Sequence, residues 1–498
     1  MFKKNIFKFN NKINERNIIK NNYLDKRIKL KYIDKNFLIN LNNNVFILLF
    51  IIKFIFFLII IVKIININQI YKNDKIQINK NYLKIKQTLN LKFNINLKKR
   101  IILALYAYCI KNGGRARITS ILINHFYKLN IFKIYLFTRR LKENNEYIIP
   151  KNIKRVLIQN DIIPIIIKKK INILIYHLYY ENEILKMNNL KNVKVIYYLH
   201  TCSFYWLYAN FNSFKTIYKS YIKSKYVISL IPFENDYLFK KWGINSILMY
   251  NFITYEYKNV VPSNLNAPNI LLIGRGDNKY KRFELGIFAM EYIINQVPKC
   301  ELKIISNITG TDDLFFLMNN INLEKSIKFV GYSSIPEKYF TEASIHIFPT
   351  ISESFGLALA ETKLFGIPNI LVGLDYVLIA EEGTVIVYDD TPEQIAYESI
   401  LILKNINYKK NLGKLARKSM KSFNNDLLYK RWDNLILSIF NSDKDYFNMK
   451  AIDKKISEKK FVNILKNQIN LLKIRDIKFR NITLNNFKNF TYMESLNF

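Results

Sequence analysis

Glu353 and Glu361 bracket the stretch ESFGLALAE, eight positions apart, with Phe355-Gly356 close behind the first. Upstream, SIHIFPT (344–350) reads as a strand and ISES as a loop, and FGLALAETKLFG then reads as a helix. Gly356 falls near the helix N-terminus, where backbone amides lack intrahelical acceptors and the macrodipole favours an anion. Eight residues of helix rise about 12 Å. One carboxylate therefore stands before the helix and the other lies along it, with an anion site between them. A carboxylate accepts two hydrogen bonds from a vicinal diol. Hydroxyls at two ends and phosphate between them describe a nucleotide-sugar. The plainer reading, an amphipathic helix that carries two acids, explains neither Glu353 in the loop nor the Phe-Gly entry.

Two further stretches could meet phosphate. NGG (112–114) follows an apolar run, and its adjacent glycines let backbone amides approach a ligand; a simple strand-to-helix turn has the same look. GRGDNKYKRFELG (274–286) also follows a strand-like run and sets Arg275 and Lys281 beside a glycine-rich loop. Arg as a fork and Lys as a point charge suit a diphosphate, although in a lysine-rich chain they equally suit solvated surface. Cys109, Cys202 and Cys300 have no metal spacing and imply no disulfide framework. The four histidines, at 125, 177, 200 and 346, are scattered, so no zinc site is visible. His125, His177 and His346 are assigned to packing or surface. The only Asp-x-Asp triplet, Asp443-Lys444-Asp445, lies in a basic tail and reads as coincidence.

The elements that must hold these residues follow from turn residues and apolar runs. Among 498 residues there are 13 Gly and 10 Pro, and none lies before Gly113 or after Gly413. A globular fold is thus confined to roughly 100–430. Strand-like runs occur at 100–110, 132–138, 171–178, 193–200 and 225–231. After a linker at NLNAP (264–268), a second series runs at 269–274, 301–306, 326–331, 344–350, 367–373 and 383–388. Helix-like stretches separate them, which predicts two doubly wound α/β domains, each a parallel sheet covered on both faces. The expected boundaries are 99–262 and 263–424, with a closing helix at 425–440.

The ends differ. Residues 1–44 hold 11 Lys/Arg and 3 acids and read as a basic arm. VFILLFIIKFIFFLIIIV (45–62) carries one charge, Lys53, and reaches about 27 Å as a helix, which predicts a transmembrane anchor over 45–65. A polar stem follows at 66–98, and 441–498 form a basic tail. The formal net charge of +39 would suit polyanions. The heavy use of Ile, Asn, Lys, Tyr and Phe reads instead as compositional drift, so no specific nucleic-acid partner is expected.

Taken together, these stretches resemble the retaining, family-4 (group 1) glycosyltransferases of GT-B fold, whose hallmark is E-x-F-G-x-x-x-x-E. Here it is Glu353-Ser-Phe355-Gly356-Leu357-Ala-Leu-Ala-Glu361, followed by LFGIP. NGGRAR resembles the family's Gly-Gly loop, YYLH its strand-end histidine (His200), YNF (250–252) its interdomain element, and GRGDNKYKRFELGIFAM its Gly-Arg…Lys-Gly-Phe stretch. The resemblance covers roughly 99–435. It implies two facing Rossmann-like domains with a central cleft. Arg275 and Lys281 would neutralise the donor diphosphate, Glu353 and His200 would meet the transferred sugar, and Glu361 would bind the ribose. Gly113, Gly114, Phe355, Gly356 and Leu357 would complete the donor site, with no metal and no separate cofactor.

The implied partners are a nucleotide-sugar, the bilayer, and a lipid-linked, glycan or protein acceptor. The implied location is a single-pass membrane protein, in the ER or Golgi of a eukaryote or the inner membrane of a bacterium. Departures are Arg282 where Gly is usual, SNITG (306–310) for a Gly-x-Gly, and Tyr250 where Pro is common. Two other readings stand beside it: a GT-B epimerase or glucan-synthase-like enzyme using the same nucleotide-sugar pocket, and a degenerate, non-enzymatic transferase fold that binds membranes or polyanions.

Overall fold

Two parallel sheets are present, each built from the apolar runs named above. The computed structural model describes residues 100–111, 113–205, 211–275, 278–306, 323–333, 336–441 and 456–475. The basic arm, the expected anchor at 45–65 and the stem lie outside these residues, as do Asn112, residues 307–310 and Asp443–Asp445. Among the described residues no helix is long and apolar enough to cross a membrane.

The first sheet contains β1 (Ile101–Ala107), β2 (Phe132–Thr138), β3 (Lys154–Leu157), β4 (Ile173–Tyr176), β5 (Lys194–Tyr198), β6 (Tyr226–Ser229) and β7 (Ser246–Leu248), in the order β3-β2-β1-β4-β5-β6-β7. The second contains β8 (Asn269–Ile273), β9 (Glu301–Ile305), β10 (Ile327–Phe329), β11 (Ile345–Phe348), β12 (Asn369–Val372) and β13 (Thr384–Val387), in the order β10-β9-β8-β11-β12-β13. Every pairing is parallel. The strands β4, β6, β11 and β12 are buried along their whole length, which is why they read as unbroken apolar runs rather than alternating ones. Strand order reverses between β1 and β4 and again between β8 and β11. Ligands of such sheets bind beyond the carboxyl ends at these reversals.

All eleven expected runs are strands. Two strands were not expected, β3 and β7. Both lie at a sheet edge, and they are only four and three residues long. The expected helix FGLALAETKLFG begins later, at Leu357, and ends at Leu364. Gly356 adopts φ 78°, in the left-handed region, so the helix cannot extend back through it.

Polar bonds tie this short helix to the sheet. Thr362 Oγ1 donates to Asn369 Oδ1 on β12 at 2.8 Å, and it lies 3.1 Å from His346 Nδ1 on β11. His346 Nδ1 in turn lies 2.7 Å from Asn369 Oδ1. The buried Lys363 donates its Nζ to the Ile379 carbonyl.

The closing helix Asn425–Phe440 returns to the first half. Trp432 packs its ring 5.3 Å from Tyr198, and Arg431 Nη2 donates to the Leu248 carbonyl at 2.8 Å. The basic tail, whose sequence leaves one or two helices or disorder open, contains the helix Glu458–Arg475. Phe461 stacks on Phe233 of the first half at 5.0 Å, and Asn467 Nδ2 donates to Asp375 of the second half at 2.8 Å. Two helices therefore tie the halves together.

Arg282, where the resemblance calls for glycine, has φ 52°. Its Nη1 donates to Asp390 Oδ1 at 2.6 Å, with both side chains mostly buried. The ion pair offsets a backbone conformation that costs a side-chain-bearing residue about 1–2 kcal/mol. Arg282→Gly loses the pair and relieves the backbone, whereas Arg282→Ala loses the pair and keeps the strain. Both variants should be less stable than wild type, because breaking a buried pair costs about 3 kcal/mol. The alanine variant should be the worse by about 1 kcal/mol in urea denaturation; equal stabilities would mean that the left-handed backbone carries no cost here.

Candidate active site

The loop after β11 is fastened to the loop after β8. Thr350 Oγ1 and the Ile351 amide both donate to the Tyr280 carbonyl, at 3.0 and 2.9 Å. This brings Lys281 to Glu353, with Nζ 2.9 Å from Oε2 and both side chains partly exposed. The Glu353 amide donates to Tyr376 Oη at 3.1 Å, which holds the loop from the other side. Gly356 caps the next helix with no side chain, and no acidic residue lies in its first turn. The leading amides of that helix therefore have no acceptor within it.

Several expected donor residues meet at this helix end. A Cβ on Gly114 would lie 3.0 Å from Leu357 Cδ1, so Gly113 and Gly114, which begin the helix Gly113–Lys128 rather than forming a loop, bring that helix's start against the N-terminus of Leu357–Leu364. A Cβ on Gly113 would come within 3.9 Å of Arg275 Cδ. Arg275 is exposed and makes no ion pair or hydrogen bond among the described residues. Phe355 has a different place. Its ring is buried 5.9 Å from Phe423 and 6.4 Å from Tyr250, so its side chain anchors the loop by packing. Tyr250, the departure from the usual proline, supplies part of that packing.

Glu361 lies deeper than Glu353. It pairs with Arg117, and its Oε1 also accepts from Thr254 Oγ1 at 2.9 Å. Neither partner was anticipated. Arg117 follows Gly113-Gly114 closely enough for the motif to have pointed to it, but Thr254 carries no local signal.

His200 follows β5, with its amide donating to Tyr179 Oη at 2.6 Å. Its carbonyl accepts from Ser354 Oγ at 2.8 Å, a bond that crosses between the halves beside Glu353. His177, assigned above to packing or surface, is fully buried and also partners His200: Nδ1 and Nε2 lie 2.7 Å apart and the rings stack at 5.0 Å. It reaches this position because β4 and β5 are neighbours, which no spacing in the chain reveals. Burial pulls His177 down to about 3, with Arg115 adding to it. Burial, then His177, then Arg115 hold His200 well below its usual value. Both rings are therefore neutral at pH 7, one donating to the other. Arg115 lies over the Tyr179 ring at 5.0 Å. His346 is buried in the second sheet and His125 pairs with Asp433 at 2.6 Å, consistent with packing roles.

These depressed histidines set the sign of a pH effect. Below about pH 6.5 the unfolded chain takes up protons that the folded rings refuse, so stability is full above that pH and falls as pH drops toward the folded values. His346, lowered to about 4 chiefly by burial, adds to the loss. We expect the stability of His177→Gln to fall less steeply between pH 6.5 and 5, by as much as about 1.4 kcal/mol per unit. Urea midpoints measured across that range check this, and an unchanged slope would refute it.

Residues 254–419 match the family Glycosyl transferases group 1. An uncharacterized glycosyltransferase of Haemophilus influenzae is 20% identical over 42% of this chain and 60% of its own length. The N-acetyl-alpha-D-glucosaminyl L-malate synthase of Bacillus anthracis is 23% identical over 34% of this chain and 45% of its own. The chain thus spans less than two thirds of either relative. Sucrose-phosphate synthase of Thermosynechococcus elongatus superposes with a TM-score of 0.59 at 17% identity, covering 69% of this chain and 100% of that one. Anabaena HepE, solved with UDP-glucose, gives 0.56 at 12%, covering 68% and 100%. Residues 254–419 are a glycosyl transferases group 1 domain, carried in a GT-B-like fold of two parallel sheets.

Proposed function

We propose that this protein transfers a sugar from a nucleotide-sugar to an acceptor with retention of anomeric configuration. One observation carries the reading: the uncapped N-terminus of the helix Leu357–Leu364 meets the Gly113-Gly114 start of the helix Gly113–Lys128, Arg275 and the Lys281–Glu353 pair in one place. A diphosphate at that helix end would face free amides and two cations, and charge developing on it as it leaves would be stabilised by groups already aimed at it. Arg275 and Lys281 take that role, and the reading calls for no metal. Glu353 and the neutral His200 then face the sugar and Glu361 faces the ribose. The leaving phosphate helps take the proton of the acceptor hydroxyl, so no second carboxylate at the spacing of a retaining glycosidase is needed. The UDP-glucose bound by HepE makes UDP-sugars the first donors to try.

The acceptor side belongs to the first half. The apolar run at 45–62 supports a single-pass membrane protein and favours a membrane-borne acceptor, lipid-linked or otherwise. Wild-type protein should release a nucleoside diphosphate from one member of a UDP-, GDP- and ADP-sugar panel supplied with lipid acceptors. Lys281→Ala and Glu361→Ala should each lower kcat/KM by about a hundredfold or more. No release from any donor, together with no thermal shift by any nucleoside diphosphate, would sink the proposal.

A further inference from the structure

The two glutamates of the opening motif are held in different ways. Glu353 meets one cation from its own half and stays partly open, whereas the Glu361 side chain is 7% exposed. Its Oε1 takes both bonds, from Arg117 Nη1 and from Thr254 Oγ1 at 2.9 Å. Arg117 Nη1 also donates to Thr254 Oγ1 at 2.7 Å, which closes a three-membered ring of contacts. Oε2 takes no hydrogen bond from the described residues, yet it is not among the buried atoms that lack a partner. It therefore remains open to a ligand.

The three residues come from three parts of the chain. Arg117 lies on the helix Gly113–Lys128 of the first half, Thr254 on the segment joining the halves, and Glu361 on the helix of the second half. Arg115 and Arg117 are two residues apart on one helix, so they point in different directions. One lies over Tyr179 beside the histidines and the other reaches across to Glu361. Burial works against the charge on Arg117, but Glu361 and Tyr147 outweigh it and hold the guanidinium above its ordinary value. The guanidinium is thus a permanent cation.

We propose that Arg117 and Thr254 are positioning residues, fixing Oε1 of Glu361 so that Oε2 is presented to the ribose diol of the donor. Ribose recognition is then complete only when the two halves are together, because the first half supplies the cation. The idea rests on the reading of Glu361 as the ribose-binding carboxylate, and it assigns the choice of ribonucleotide over deoxyribonucleotide to a contact that no ligand atom touches.

The test is isothermal titration of the full chain with UDP, GDP and ADP, and with the 2′-deoxy and 3′-deoxy forms of whichever binds. Wild type should prefer the ribonucleotide by about tenfold to a hundredfold, the worth of a hydrogen bond to a charged group. Arg117→Gln should collapse that ratio to about threefold or less, Thr254→Val should reduce it partly, and Arg117→Lys should restore part of it. A ratio unchanged in Arg117→Gln overturns the proposal. So does an equal loss of affinity for ribo and deoxy forms, the mark of a merely structural tie. If Arg117→Gln does not fold, an unchanged ratio in Thr254→Val overturns it as well. A wild type that binds without preferring ribose refutes the role of Glu361, whereas one that binds no nucleoside diphosphate refutes the donor reading beneath it.

Discussion

A helix of eight residues is marginal in water, because the cost of nucleating the first turn is spread over few bonds. The Leu357–Leu364 helix is held in place by what surrounds it. Thr362 is tied to Asn369 and His346 in the sheet, and Lys363 to the Ile379 carbonyl. Gly114, in the first turn of the helix Gly113–Lys128, leaves little room for a side chain where Leu357 touches it. The N-terminal amides of this helix, its flanking glutamates and the loop before it are thus set by a single local packing arrangement. Loosening that packing would move every group at the cleft together.

Charge then gives the cleft its organisation. Each glutamate of the motif is matched by one cation, but from opposite sides: Lys281 of the second half meets Glu353, and Arg117 of the first half meets Glu361. Arg275 is left with no such partner among the described residues, which suits it to an incoming anion. Between the halves lie further polar contacts, Ser354 Oγ on the His200 carbonyl at 2.8 Å and Cys202 Sγ against Ser352 Oγ at 3.1 Å. Such contacts are directional, so the two halves meet in one register rather than sliding over an apolar face. The large formal charge of the whole chain contributes little to this, since exposed lysines are screened over about 10 Å.

Legibility in the sequence followed the range of each interaction. The strands stood out because both faces of each sheet are covered, which makes the central runs continuously apolar. The edge strands β3 and β7 did not, because both are short and β3 is also only partly buried. The spacing of Glu353, Gly356 and Glu361 was legible because it is a local pattern. The partners of these residues were not. Arg117 is 244 positions from Glu361, Thr254 is 107, and His177 is 23 from His200. Arg282 was visible as a departure, but its left-handed backbone and its bond to Asp390 were not.

The sequence by itself determined two α/β halves, each a parallel sheet, and it singled out a compact motif between strand and helix, because strand burial, turn residues and motif spacing are all written in neighbouring positions. Only the tertiary structure decided which cation serves which carboxylate, that His177 and His200 form a neutral pair, that the Phe355 ring packs on Phe423 and Tyr250, and that part of the basic tail is a helix joining the halves. These outcomes depend on strand order and on the closing of one half against the other. Contacts of that kind depend on geometry across the whole fold, and no pattern along a few residues encodes it.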